Sequence, residues 1–68
     1  MVSAQLLWSE KDGWRCELRV GPAGTNRLEV YQGERLVTSE ATVPGSLASY
    51  RGEFLRQRVL RGDLRSPD

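Results

Sequence analysis

Apolar and charged side chains alternate between Trp14 and Val20: Trp14, Cys16, Leu18 and Val20 fall on one side, and Arg15, Glu17 and Arg19 on the other. A period of two predicts a half-buried β-strand. Ahead of it AQLLWS forms a shorter apolar run, and the intervening EKDG contains Asp12-Gly13, a strong hairpin signal. A two-residue Asp12-Gly13 turn sets Trp8 opposite Glu17 and Leu6 opposite Arg19, on the outer face. A loop one residue longer turns Leu6 and Trp8 into the core. The Asp-Gly pair favours the first arrangement, and the need of a small chain for core favours the second. The pattern leaves both open.

After GPAGTN breaks the chain, RLEVYQ resumes the alternation, with Leu28 and Val30 inward and Arg27, Glu29 and Tyr31 outward. A type II′ turn at Gly33-Glu34 pairs Gln32 with Arg35 and Val30 with Val37. It makes Tyr31 and Leu36 cross-strand neighbours, places Val37, Ser39, Ala41 and Val43 inward, and sets Arg27 opposite Glu40 outside. Between the second and third strands, a register with Glu17 opposite Glu29 and Arg19 opposite Arg27 brings like charges together. A shift by two residues in either direction is therefore expected.

VPGS ends the sheet, since Pro44 cannot donate to a ladder and Ser46 is suited to cap a helix. The helix is predicted from about Leu47 to Arg61, with Gly62 as its stop and Arg56, Arg58 and Arg61 suiting its negative end. At ~100° per residue, Leu47, Tyr50 and Phe54 form one apolar strip, and Ala48, Leu55 and Val59 form a second, with Gly52 beside it. Arg51 and Arg58, and Arg65 if the helix continues, run between them. Two arrangements account for this divided face: arginine stems cover apolar surface while their heads reach water, or one strip packs on the sheet and the other meets a second molecule.

These elements define an α+β domain: a three- or four-stranded antiparallel meander followed by one C-terminal helix packed on a face. One small domain is expected over residues 1–62, and a flexible tail over 63–68. Net charge is only +1 and names no partner. The single cysteine, Cys16, excludes an internal disulfide, so a reducing cytoplasm is the expected location. No signal peptide or membrane span is legible. Nine of the ten basic residues are arginine, a bias that fits codon usage in a GC-rich genome, and GWRCELRV, GERLV and the arginine-rich helix give the chain a bacterial-like look.

Chemistry is sparse. The chain has no histidine, which removes the commonest general base, the usual nucleophilic pairs and the usual transition-metal ligand. Cys16 alternates inward and reads as structural. Glu10 and Asp12 sit at a turn, GPAG lacks the lysine of a phosphate loop, and no zinc or calcium spacing is present. No enzymatic activity, cofactor or metal is expected.

The expected function is a small protein-protein interaction or accessory module, a homodimer being one form of it. Leu6, Trp8, Tyr31 and Leu36 would anchor a partner on the outer sheet face, and Arg51 and Arg58 would meet acidic groups. The alternative is nucleic-acid binding through Arg51, Arg56, Arg58 and Arg61, with Arg15, Arg19 and Arg27 on the sheet. Residues 51–65 carry a local net charge of +3, a field that attracts phosphates. Glu17, Glu29 and Glu40, expected on the same sheet face, dilute it.

Overall fold

The computed structural model describes residues 3–22, 25–41 and 45–64. Four antiparallel strands, β1 (Ser3–Glu10), β2 (Trp14–Val20), β3 (Asn26–Gln32) and β4 (Arg35–Ala41), pair in chain order. Helix α1 (Ala48–Leu60) follows. The architecture is ββββα, the four-stranded form of the expected meander.

The first hairpin resolves the choice left open by its sequence. Lys11–Gly13 forms a three-residue 3-10 turn, with Asp12 and Gly13 both at positive φ, and Glu10 pairs with Trp14. This is the longer loop. Trp8 then lies opposite Cys16 on the helix side, so it is not an outer-face anchor. A bulge at Leu7 resets the register, and Leu6 returns to the outer face opposite Glu17. One extra residue in a strand lets two successive side chains share a face. Leu7 and Trp8 therefore both pack against the core.

The second turn follows expectation: Gly33 has φ 64°, Gln32 pairs with Arg35, and Tyr31 pairs with Leu36. Beyond it a bulge at Val37 overturns the expected register. Val30 faces Thr38, Leu28 faces Glu40, and Arg27 faces Ala41. Ser39 and Ala41 thus move to the outer side, while Thr38 and Glu40 turn toward the helix. Val43 lies outside the described residues. The two turns meet at one end of the sheet, where the Gly33 N–H donates to the Gly13 carbonyl at 2.9 Å. A Cβ on Gly13 would stand 3.1 Å from that nitrogen, and its φ of 80° disfavours any side chain.

The pairing of β2 with β3 also departs from expectation: Glu17 faces Glu29 and Arg19 faces Arg27. On the apolar side this register seats Cys16 on Val30 and Leu18 on Leu28. Those four are all buried, and burying such side chains contributes about 1.5–3 kcal/mol each. Cross-strand charge pairs contribute only about 0.2–1 kcal/mol, and the diagonal Arg19–Glu29 pair, with Arg15 and Arg19 on Glu17, relieves the like-charge contacts here.

Ala48 and Leu55 of α1 complete the core, with Trp14, Val59 and Leu64 packed around it. Ser46 does not cap the helix as expected. It lies inside a 3-10 turn, Gly45–Leu47, that leads into α1, and Leu47 holds the cap position without a side-chain hydrogen bond. At the other end Gly62 at φ 79° gives a Schellman closure: Gly62 N–H donates to Val59 O at 3.0 Å and Asp63 N–H to Arg58 O at 2.8 Å. Leu64, just past this closure, packs against the core.

Candidate interaction surface

The two strips of α1 separate as the ~100° projection requires. Ala48, Gly52 and Leu55 are buried against the sheet, with Val59 beside them. Leu47, Tyr50 and Phe54 face away from it, and Tyr50 is 76% exposed. A notch of about 240 Å³ lies on this outward side, bounded by Tyr50, Glu53, Phe54 and Gln57.

Arginines flank the packed strip and fasten it. Toward β4, Arg51 grips Glu40 with two hydrogen bonds, Nη2 to Oε2 at 2.6 Å and Nε to Oε1 at 3.4 Å. Toward β1, Arg56 Nε donates to Glu10 Oε2 at 2.6 Å, and Arg56 Nη1 donates to Glu53 Oε1 at 2.9 Å. Each guanidinium is held more basic than a free arginine, Arg51 chiefly by its hydrogen bond to Glu40 and Arg56 chiefly by Glu10. The bulge at Val37 makes the first clamp possible, because it turns Glu40 inward. These helix arginines thus tie α1 to both edge strands. Arg51 also covers the Phe54 ring, 4.7 Å from its centroid.

On the outer sheet face the charges close into a network. Arg15 pairs with Glu17 at 2.9 Å, Arg19 reaches Glu17 at 3.5 Å and bonds directly to Glu29, and the Tyr31 hydroxyl donates to Glu29 at 2.8 Å. The Arg15 guanidinium sits 4.4 Å above the Tyr31 ring and also donates to the Gly33 carbonyl. Glu29 is only 7% exposed. Burial alone would push its carboxyl up, but the Arg19 and Tyr31 hydrogen bonds and the charges of Arg19 and Arg27 outweigh that and hold it below the usual carboxylate range. The Arg19 guanidinium is raised in turn, first by its hydrogen bond to Glu29.

The sheet anchors expected from the sequence therefore divide. Leu6 and Leu36 are exposed on the outer face. Tyr31 lies there too, but its ring and hydroxyl are engaged in the network. Trp8 is on the opposite side, its Nε1 donating to the Gly52 carbonyl at 2.7 Å. Of the arginines, Arg15, Arg19, Arg51 and Arg56 are held by carboxylates. Arg61 makes a looser, exposed pair with Asp63 at 3.4 Å. Arg27 and Arg58 make no direct ion pair among the described residues, Arg27 acting on Glu29 only through its charge.

The outward strip is legible from helical spacing, but the Arg51–Glu40 clamp is not, because the bulge that turns Glu40 inward leaves no mark in the sequence. At one end of the sheet Arg19, Asn26, Arg27, Glu29 and Ala41 line a hollow of about 460 Å³. Asn26 Oδ1 is buried nearby without a hydrogen-bond partner. Cys16 is fully buried, and its thiol is pushed up to about 11, first by burial and then by the Glu17 and Glu40 charges. Among the described residues no group of three or more His, Cys, Asp and Glu is placed to hold a metal, and no helix is long and apolar enough to cross a membrane.

Comparison with protein-family models, with curated proteins and with solved structures found no match to this chain.

Proposed function

We propose that this chain is a non-enzymatic protein-binding module whose contact surface is the outward strip of α1: Leu47, Tyr50 and Phe54. One observation carries the reading. The helix already buries a complete apolar strip, yet it carries a second on its free side with a notch between the two aromatics. Contiguous exposed aromatics beside charged side chains have the anchor-and-rim makeup of a binding surface. The sheet face fits less well, because Trp8 has left it and Tyr31 is engaged. Nucleic-acid binding is weakened by the carboxylates on Arg15, Arg19, Arg51 and Arg56, which neutralise the field that phosphates would meet.

A photo-crosslinking residue placed at Tyr50, in cells expressing the chain, tests the proposal against the same residue placed at Ser9 on the outer sheet face. The expected result is a discrete protein adduct at position 50, absent at position 9 and abolished by Phe54→Glu. Equal labelling from both positions, or none from position 50, rejects the helix strip.

A further inference from the structure

The charges around the outward strip are not balanced. Glu53, the acidic residue beside the notch, is already engaged by Arg56 and by Gln57, whose Nε2 donates to it at 3.2 Å. Arg51 is committed to Glu40. Arg58 lies four residues beyond Phe54, so it borders the same strip, and it has no carboxylate partner among the described residues. Arg61, one turn past Gln57, is tied only to Asp63 at 3.4 Å with both side chains more than half exposed. So exposed a pair contributes little and is readily exchanged.

The rim available to a partner is therefore cationic, and the notch between Tyr50 and Phe54 suits one large apolar side chain. A second copy of the chain approaching by the same strip would bring the same cationic rim, since an isologous contact repeats its own charges.

Building on the protein-binding reading above, we infer that the outward strip of α1 receives an acidic amphipathic segment of another protein. One apolar side chain of that segment seats between Tyr50 and Phe54, and its carboxylates meet Arg58 and Arg61. Docking of an amphipathic segment through a few apolar anchors is a common recognition mode. Opposite charges at the rim act mainly on partner choice and association rate.

Two labelled synthetic amphipathic peptides test this, with one leucine- and phenylalanine-bearing face in common and either glutamate or lysine on the polar face. Their binding to the full chain is read by fluorescence anisotropy at physiological salt. The glutamate peptide is expected to bind at least about tenfold more tightly than the lysine peptide. Arg58→Glu should abolish or invert that order, and Phe54→Ala should weaken the glutamate peptide about tenfold or more. Circular dichroism melts verify that both variants remain folded.

Equal binding of the two peptides overturns the acidic partner and leaves a protein-binding strip in place. Absence of binding by either overturns both readings. Light scattering that shows a dimer disrupted by Phe54→Glu assigns the strip to a second copy and overturns the acidic segment.

Discussion

The indole N–H of Trp8 and the carbonyl of Gly52, 44 residues apart in sequence, meet in a 2.7 Å hydrogen bond that joins β1 to the middle of α1. A carbonyl has two lone pairs, so Gly52 can accept from the indole as well as from within the helix. The bond fixes where the helix sits along the sheet. Trp8→Phe removes the donor while keeping an aromatic ring, and is expected to cost about 1–2 kcal/mol. Urea unfolding should show a lower midpoint with an unchanged slope. Trp8→Glu should destabilise the fold further, because it sets a carboxylate against the core in place of a half-buried indole.

Gly52 itself is explained by proximity. A Cβ there would lie 2.9 Å from Leu7 Cδ1. Gly52→Ala gains about 0.5–1 kcal/mol of helix propensity, and Leu7 Cδ1 is the mobile end of a side chain. The two effects nearly cancel, so a change in stability within about 1 kcal/mol is expected. Gly52→Val cannot be accommodated in this way and should destabilise by about 1–3 kcal/mol. Thermal melts of the two variants separate helix propensity from contact: equal effects would show that closeness to Leu7 does not constrain this position.

The lowered Glu29 carboxyl links stability to pH. Because its folded value lies below that of the unfolded chain, about 4.3 for a glutamate, its contribution is complete above the unfolded value. It is lost as pH falls through the folded one. Glu29→Gln should lower stability at neutral pH by about 1–3 kcal/mol and flatten the decline in acid. Denaturation midpoints measured from neutral pH down to strong acid check both statements. An unchanged acid slope in the variant would assign the dependence to other carboxylates.

Cys16 should resist alkylation in the folded protein. Its thiol is fully buried and pushed up to about 11, so at pH 8 both the thiolate and access are lacking. The rate of iodoacetamide labelling should track global unfolding and rise with urea. Because the folded value is raised, the thiol's contribution to stability is complete below the unfolded value, about 8.5. It falls away as pH rises toward the folded one. Cys16→Ser should remove that alkaline loss, while lowering stability throughout by burying a hydroxyl.

The elements were legible in the sequence because each follows a plain period: two from Trp14 to Val20 and about 3.6 along α1. Gly33 and Gly62 also announced their turns through the backbone freedom they supply. Registers were harder. Leu6, Leu7 and Trp8 form an unbroken apolar run that fits neither parity of a regular strand, and this was the available signal for the first bulge. Val37 gives no such sign, so regular alternation puts Glu40 outside and hides its clamp on Arg51. Like charges stand opposite each other between β2 and β3 because Arg19 reaches diagonally to Glu29, a contact that spacing does not show. Of the candidate surface, the outward helix strip was readable from spacing alone. The loss of Trp8 from the sheet face depended on a loop length that spacing does not decide.

The irregularities at Leu7 and Val37 fall on β1 and β4, the two outermost strands of the meander. An extra residue bends and twists a strand, so neither rim of the sheet offers a straight row of amides and carbonyls to a neighbouring chain. Growth by strand addition, the route to fibrils and to domain-swapped ladders, is disfavoured at both ends. The faces of the sheet and of the helix, rather than the rims, are the regular surfaces this fold presents.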